Sequence, residues 1–119
     1  MSQYEARLEK DLAHIREKLA ALATAVQTGL ADAAGGLLAG GAARAYAVVL
    51  GDHPINRTSR ELDRICHGFF AVHLPSAGHL RFVSAVMRVN LELERIGDYA
   101  VNICRETVQI GHAPAEAFR

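Results

Sequence analysis

The chain of 119 residues has no tryptophan, two cysteines and three prolines. Two cysteines are too few for a disulfide scaffold, so reduced thiols are expected. Its 13 basic and 13 acidic residues cancel, and a net charge of zero argues against broad electrostatic binding to nucleic acid or to an anionic membrane. Apolar runs stay shorter than the roughly 18 residues of a membrane helix, and Met1 leads into a charged stretch unlike a signal peptide. These absences predict a cytoplasmic protein with no membrane insertion and no nucleic-acid partner.

Apolar residues make up 50% of the sequence, and the mean hydropathy is slightly positive at +0.09. That value is high for a lone soluble domain, which suggests that a partner or a second copy covers some apolar surface.

Three long segments carry apolar residues at steps of three and four, the spacing of a helix and not of a strand. The first follows Ser2, a candidate cap, and loses its period near the glycines at 35–36 and 40–41. The second begins near residue 42 and is expected to kink at Pro54. The apolar line of the first segment, meaning its apolar residues at helical spacing, is Leu8, Leu12, Ile15, Leu19, Leu22, Val26 and Leu30.

The third segment follows the breaker Leu74-Pro75 and the candidate cap Ser76. Three helices of about 30 residues, each about 45 Å long, with short connections favour antiparallel neighbours. The sequence therefore predicts an all-α protein, an elongated antiparallel three-helix bundle over residues 1–112, with 113–119 as a tail or the start of a linker. The apolar line of the third segment is Phe82, Val86, Val89, Leu93, Ile96, Ala100, Ile103, Thr107 and Ile110.

A polar row on the third segment is not explained by its apolar line. Asn90, Glu94, Asp98 and Asn102 are spaced by four, and Gly97 stands among them. Two carboxylates on adjacent turns with flanking amides could supply oxygen ligands to a hard cation. The alternative is an ordinary solvated helix face, and the residues alone leave both interpretations open.

The second segment has a thinner counterpart in Asn56, Ser59, Asp63 and His67, which also suits ordinary surface pairing. Cys66 and Cys104 are predicted to be small buried hydrophobic residues. The motifs of serine hydrolases, P-loop nucleotide binding and zinc proteases are all missing from the sequence. We therefore predict no catalytic residues and no enzyme.

Residues 91–103, which read LELERIGDYAVNI, strongly resemble the signature of the PhoU family of phosphate-uptake regulators. Residues 48–56 and 74–81 resemble two further stretches of that family, in the same order. The resemblance covers about residues 5–112, and it matches the first of the two three-helix domains that the family usually carries. We expect this chain to be a fragment of such a protein, although a natural single-domain homologue fits as well.

The resemblance implies a cytoplasmic helical adaptor and not an enzyme. Such a protein negatively regulates the phosphate-starvation response and phosphate uptake, by binding the phosphate ABC transporter, the sensor histidine kinase, or both. Since one unit lacks the second domain that would pack beside it, we expect a homodimer whose copies imitate the tandem pair.

The resemblance also implies metal ligands, because some family members bind iron or other metals through paired acids on the second and third helices. Glu94 and Asp98 match the third-helix pair, and Asp63 matches one acid of the second helix. Ser59 stands where the other acid belongs, and His79 replaces an aspartate of the turn motif. The expectation is therefore a weakly bound iron, manganese or magnesium ion, with Asn90, Asn102, Asn56, Ser59 and His67 as supporting polar residues.

Two alternatives to the regulator remain at this point. One is a metal-binding helical protein whose main function is to bind metal through the carboxylate row. The other is the regulatory domain of a sodium–phosphate symporter, which also carries PhoU-like helices.

Overall fold

The computed structural model describes residues 2–39, 45, 47–49, 52–74 and 76–112. Three long helices account for most of this part of the chain: α1 is Gln3–Ala39, α2 is Asp52–Val72 and α3 is Ala77–His112. Residues 45 and 47–49 are also helical, and none of the described residues forms a strand. The predicted all-α class is confirmed.

The bundle is long and narrow, with extents of 69 × 19 × 17 Å and a radius of gyration of 18.8 Å. A compact domain of this length would have a radius of gyration of about 13.5 Å. At 1.5 Å per residue, α1 with 37 residues and α3 with 36 reach about 55 Å, whereas α2 with 21 residues reaches about 32 Å. α2 is therefore shorter than its two neighbours, and helical residues 45 and 47–49 precede it within the second predicted segment.

The two predicted serine caps are present. The Ser2 hydroxyl oxygen accepts the backbone N–H of Glu5 at 3.1 Å, and that of Ser76 accepts the N–H of His79 at 3.2 Å. Pro54 lies in the first turn of α2, where a helix needs no backbone donor. The kink predicted beside it falls on residues 50–51, outside the described part of the chain.

The glycines at 35–36 and 40–41 are predicted to end α1 or to loosen its last turns, and the helix continues through Gly35 and Gly36 and ends at Ala39. Gly36 is buried, and Ala33 packs in an apolar cluster with residues of α3. Tertiary packing here outweighs the roughly 1 kcal/mol by which each glycine disfavours a helix relative to alanine. The second glycine pair, at 40–41, lies outside the described residues.

The main core joins all three helices at the end of the bundle that contains the turn between α2 and α3. It comprises Leu8, Leu12, Ile15, Leu22 and Val26 of α1, Leu62, Cys66 and Phe69 of α2, and Val83 and Val86 of α3. A smaller cluster at the opposite end contains Ala33, Ala45, Val48, Ala100 and Cys104. The apolar line predicted for α1 and the burial of both cysteines are confirmed, except that Leu30 is 40% exposed.

The apolar line predicted for α3 is displaced from the one observed. Val89 and Ile110 are 43% and 47% exposed, whereas Val83 is fully buried. Asn90 and Gly97 occupy the centre of the buried face. A prediction that counts only apolar side chains skips these two residues and therefore places the buried face too far round the helix. A Cβ added at Gly97 would make ordinary van der Waals contact with the Ile55 side chain of α2, at 3.5 Å.

Candidate functional site

A groove between α2 and α3 is lined by Asp63, the acid of α2 that matches the family motif, and by Glu94 of α3. It encloses a volume of about 450 Å³. Asp63 and Glu94, two of the three predicted metal ligands, both contribute to its wall. The residues that line it are Ser59, Arg60, Asp63, Met87, Asn90, Leu91 and Glu94.

Ser59 and Asn90 lie at the floor of this groove and bind each other. The Ser59 hydroxyl donates to Asn90 Oδ1 at 2.8 Å, and Asn90 Nδ2 donates to the backbone oxygen of Ser59 at 2.9 Å. The two residues are only 3% and 4% exposed. Buried polar groups are strongly disfavoured without such partners. The pair therefore fixes the register of α2 against α3, and its oxygen atoms are already engaged within the protein.

The register of this pair determines how far apart the acids lie. Because the helices are antiparallel and Ser59 is level with Asn90, Asp63 is level with residue 86, eight residues from Glu94. That offset is about 12 Å along the axis. Helical side chains tilt towards the helix N-terminus, so the two carboxylates lean towards the buried pair from opposite sides. Asp98 is four residues farther away, is exposed and does not line the groove.

His67 is engaged with its own helix. Its Nδ1 atom lies 2.8 Å from the backbone oxygen of Asp63 and 3.5 Å from Oδ2 of the same residue. Both side chains are more than half exposed. The predicted supporting role of His67 is therefore limited to a local contact with Asp63. Burial, and to a smaller extent the negative charge of Asp63, raise the pKa of the Cys66 thiol to about 11.

The polar row on α3 does not form one face, because its first member, Asn90, lies on the buried side of the helix. A step of four residues turns the helix by about 400°, so each member is rotated by about 40° from the previous one. The row therefore runs from buried Asn90 through half-buried Glu94 to exposed Asp98 and Asn102. On α2, Asn56 is half-buried and does not line the groove.

No group of three or more histidine, cysteine, aspartate or glutamate side chains in the described ranges is arranged to hold a metal ion. The oxygen ligands left for a metal are the two separated carboxylates of Asp63 and Glu94, because Ser59 and Asn90 are hydrogen-bonded to each other. This set does not fit an iron cluster or a site coordinated fully by protein. It does fit a hydrated magnesium or manganese ion, which keeps most of its water ligands.

A second polar cluster, which the sequence analysis missed, fastens the α2–α3 turn to α1. The imidazole of His73 is fully buried, and its Nε2 atom lies 2.7 Å from Asp11 Oδ2. The Tyr4 hydroxyl accepts the backbone N–H of Leu74 at 3.0 Å and donates to its carbonyl oxygen at 3.3 Å. The His73 ring also packs against Tyr4 and Phe69, with ring centroids 5.6 and 4.8 Å apart. We name these five residues the turn clasp.

Comparison with known proteins places this sequence in a family. The PhoU domain model matches residues 6–107. The phosphate-specific transport system accessory protein PhoU of Edwardsiella tarda is 35% identical over 107 residues, covering 90% of this chain and 42% of that protein. The protein of the same name from Escherichia coli K12 is 32% identical, covering 90% and 43%. A homologue from Aquifex aeolicus is 29% identical, covering 91% and 49%.

The chain spans less than half the length of each of these relatives. The match includes the signature at 91–103, which forms the middle of α3 beside the groove. Fold, signature and relatives agree, and the chain belongs to the PhoU family.

Proposed function

We propose that this chain is a regulatory unit of phosphate-specific transport and acts through protein contacts. The observation that carries the proposal is the PhoU domain match over residues 6–107, together with relatives named as accessory proteins of a phosphate-specific transport system. The shape is compatible with such a role, because a bundle 69 Å long presents extended helix faces to a partner. None of the helices in the described ranges is both long and apolar enough to cross a membrane.

The proposed partners are the phosphate ABC transporter and the sensor histidine kinase of the phosphate-starvation response, on the cytoplasmic side of the membrane. The unit lowers the starvation response and phosphate uptake when phosphate is plentiful. It carries no catalytic step in this scheme, since binding alone changes the activity of its partners.

Deletion of the gene in its natural host tests this function. The expected result is a severalfold rise of a phosphate-starvation reporter in phosphate-rich medium, with repression restored by a plasmid copy. A tagged copy should also recover transporter subunits after mild crosslinking. A reporter unaffected by removal, with no transporter subunit recovered, would contradict the proposal.

A second candidate function is supported by the presence of Asp63 and Glu94 in the wall of one groove. We propose that their carboxylates hold a hydrated divalent cation of the magnesium or manganese class. Hard cations favour oxygen ligands, and two carboxylates that act through water molecules give weak binding.

Titration calorimetry with manganese is the measurement for this site. The double variant Asp63→Asn/Glu94→Gln should lose the binding heat, because both negative charges of the groove wall are removed. Asp98→Asn is the matched control and should bind like the wild type, since Asp98 does not line the groove. Equal heats from the wild type and the double variant would mean that these acids bind no cation.

We also propose that the chain forms a homodimer. The proposal is supported by exposed large apolar side chains, among them Leu38, Leu91 and Tyr99 at 89%, 52% and 61% exposed, and by the slightly positive mean hydropathy of +0.09, because exposed apolar surface is typical of a protein-binding face. Light scattering at micromolar concentration should give a mass near twice 12.8 kDa, and a monomer mass would contradict the proposal.

A further inference from the structure

Leu74 differs from the other members of the turn clasp because its backbone is fixed while its side chain is not packed. The Tyr4 hydroxyl accepts the backbone N–H of Leu74 at 3.0 Å and donates to its carbonyl oxygen at 3.3 Å, across 70 positions of the sequence. Leu74 is nevertheless 93% exposed, the highest value among the large apolar residues that the structure describes. It also precedes Pro75, and a residue before proline is largely restricted to extended conformations. The fold thus holds a leucine side chain in a defined position at the surface.

The turn clasp itself makes no use of the leucine side chain. Both hydrogen bonds of the Tyr4 hydroxyl go to backbone atoms of Leu74, and any residue other than proline supplies those atoms. The other contacts of the clasp are made by His73, whose buried imidazole lies against Asp11 and against the rings of Tyr4 and Phe69. The fold therefore requires no apolar side chain at position 74, and a contact outside this chain gives the leucine a role.

Three further apolar residues around the turn are partly exposed. Val72, Leu80 and Tyr4 are 52%, 47% and 47% exposed. Val72 ends α2 and Leu80 lies in the first turn of α3, so both flank the turn, and Tyr4 is hydrogen-bonded to Leu74. Single exposed apolar residues are normal on a protein surface, whereas a group of them is typical of an interaction site. We name Tyr4, Val72, Leu74 and Leu80 the apolar tip.

We propose that Leu74 is the anchor of a protein–protein contact and inserts into an apolar pocket of a partner protein, with the rest of the apolar tip around it. An aliphatic anchor in a pocket is a common centre of such contacts. An anchor whose backbone is already held in place loses little conformational freedom on binding, which favours affinity. The tip lies at one end of a bundle 69 Å long and only 19 × 17 Å across, so its complement is a pocket and not a long groove.

A protein pocket is favoured over a membrane surface because the helix ends beside the tip have no excess of positive charge. Residues 3–12 of α1 contain three acids and two bases, and residues 77–85 of α3 add one arginine, so these charges cancel. Binding to an anionic membrane is typical of clusters of about four to eight basic residues. A few apolar side chains do not replace such a cluster, since even a single myristoyl chain binds a bilayer only marginally. The expected partner surface is therefore an apolar protein pocket whose rim carries no strong net charge.

The reporter assay in the deletion strain tests this contact. Plasmid copies of the wild type and of Ile110→Ser should restore repression, whereas Leu74→Ser should leave the reporter severalfold higher. Ile110 is the matched control because it is an apolar residue, 47% exposed, near the other end of α3. Leu74→Ser keeps both backbone hydrogen bonds to Tyr4, so its melting temperature should stay within about 3 °C of the wild type.

This inference rests on the proposed function, because it names the contact through which the regulatory unit reaches a partner. A wild-type copy that restores no repression would contradict the proposed function and the inference together. Full repression by Leu74→Ser, beside full repression by the wild type, would overturn the inference alone.

Direct binding to the purified phosphate ABC transporter and to the purified sensor histidine kinase of the natural host measures the anchor itself. Leu74→Ser should weaken binding to one of these probes by roughly tenfold or more, whereas Leu74→Met keeps an apolar side chain and should bind within roughly threefold of the wild type. Tyr4→Phe keeps the ring and loses the hydroxyl that positions Leu74. It should weaken binding severalfold in the wild type and cause no further loss in Leu74→Ser. Unchanged affinity of Leu74→Ser for both probes would overturn the inference.

Sedimentation with protein-free vesicles of phosphatidylcholine and phosphatidylglycerol distinguishes a protein pocket from a membrane. The wild type should stay in the supernatant. A wild type that sediments with the vesicles, beside a Leu74→Ser variant that does not, would show that the apolar tip inserts into a bilayer and would overturn the protein pocket.

Discussion

Replacing His73 with alanine is expected to lower the free energy of unfolding by about 3–4 kcal/mol. The imidazole is fully buried and packs on Phe69 and Tyr4, and truncation of a buried ring to alanine typically costs about 3–5 kcal/mol. The contact with Asp11 is lost as well. Urea denaturation followed by circular dichroism measures the change, and the melting temperature should fall by about 10 °C or more.

Two further variants separate ring packing from polar pairing. His73→Phe keeps a ring in the cavity and removes Nδ1, a buried atom with no hydrogen-bond partner, so we expect a change within about 1 kcal/mol. Asp11→Ala leaves the imidazole buried without its partner and should cost about 1–3 kcal/mol. If His73→Phe proved as damaging as His73→Ala, the turn clasp would depend on the polar pair and not on packing.

Asn90→Ala is expected to lower the free energy of unfolding by about 2–3 kcal/mol. The substitution removes both hydrogen bonds between Asn90 and Ser59 and leaves the Ser59 hydroxyl buried without its partner. It also opens a gap between α2 and α3 where the side chain was. Asn102→Ala is the matched control, because Asn102 is exposed on the same helix and should change stability by less than about 0.5 kcal/mol.

The double variant Ser59→Ala/Asn90→Leu removes both members of the pair together. We expect it to recover stability to within about 1 kcal/mol of the wild type, because replacing two buried polar partners by apolar groups can be nearly neutral. A double variant no more stable than Asn90→Ala would show that the pair contributes through packing and not through hydrogen bonding.

The fold was predictable because helical spacing and caps are local signals. The line from Leu8 to Val26 and the caps Ser2 and Ser76 needed only neighbouring residues. The course of α1 through Gly35 was not predictable, because packing against distant residues decides it.

The site was less predictable than the fold. Family motifs identified Glu94 and Asp98 as one acidic pair and Asp63 as an acid of the second helix, whereas the structure places Asp63 and Glu94, and not Asp98, in the wall of one groove. No local pattern indicates that Ser59 and Asn90 bind each other across 31 positions, or that this register keeps Asp98 out of the groove. The turn clasp was missed for the same reason, since His73 and Asp11 are 62 positions apart and no periodic pattern connects them.

The burial of both cysteines has a practical consequence for spectroscopy. The pKa of Cys66 is raised to about 11, and burial also raises that of Cys104. Because maleimides and nitroxide reagents react with accessible thiolates, we expect both native cysteines to react with them slowly. A single cysteine introduced at an exposed position such as Gln109 would therefore take a spin label alone, and the distance between labels in two copies could be measured without altering the core.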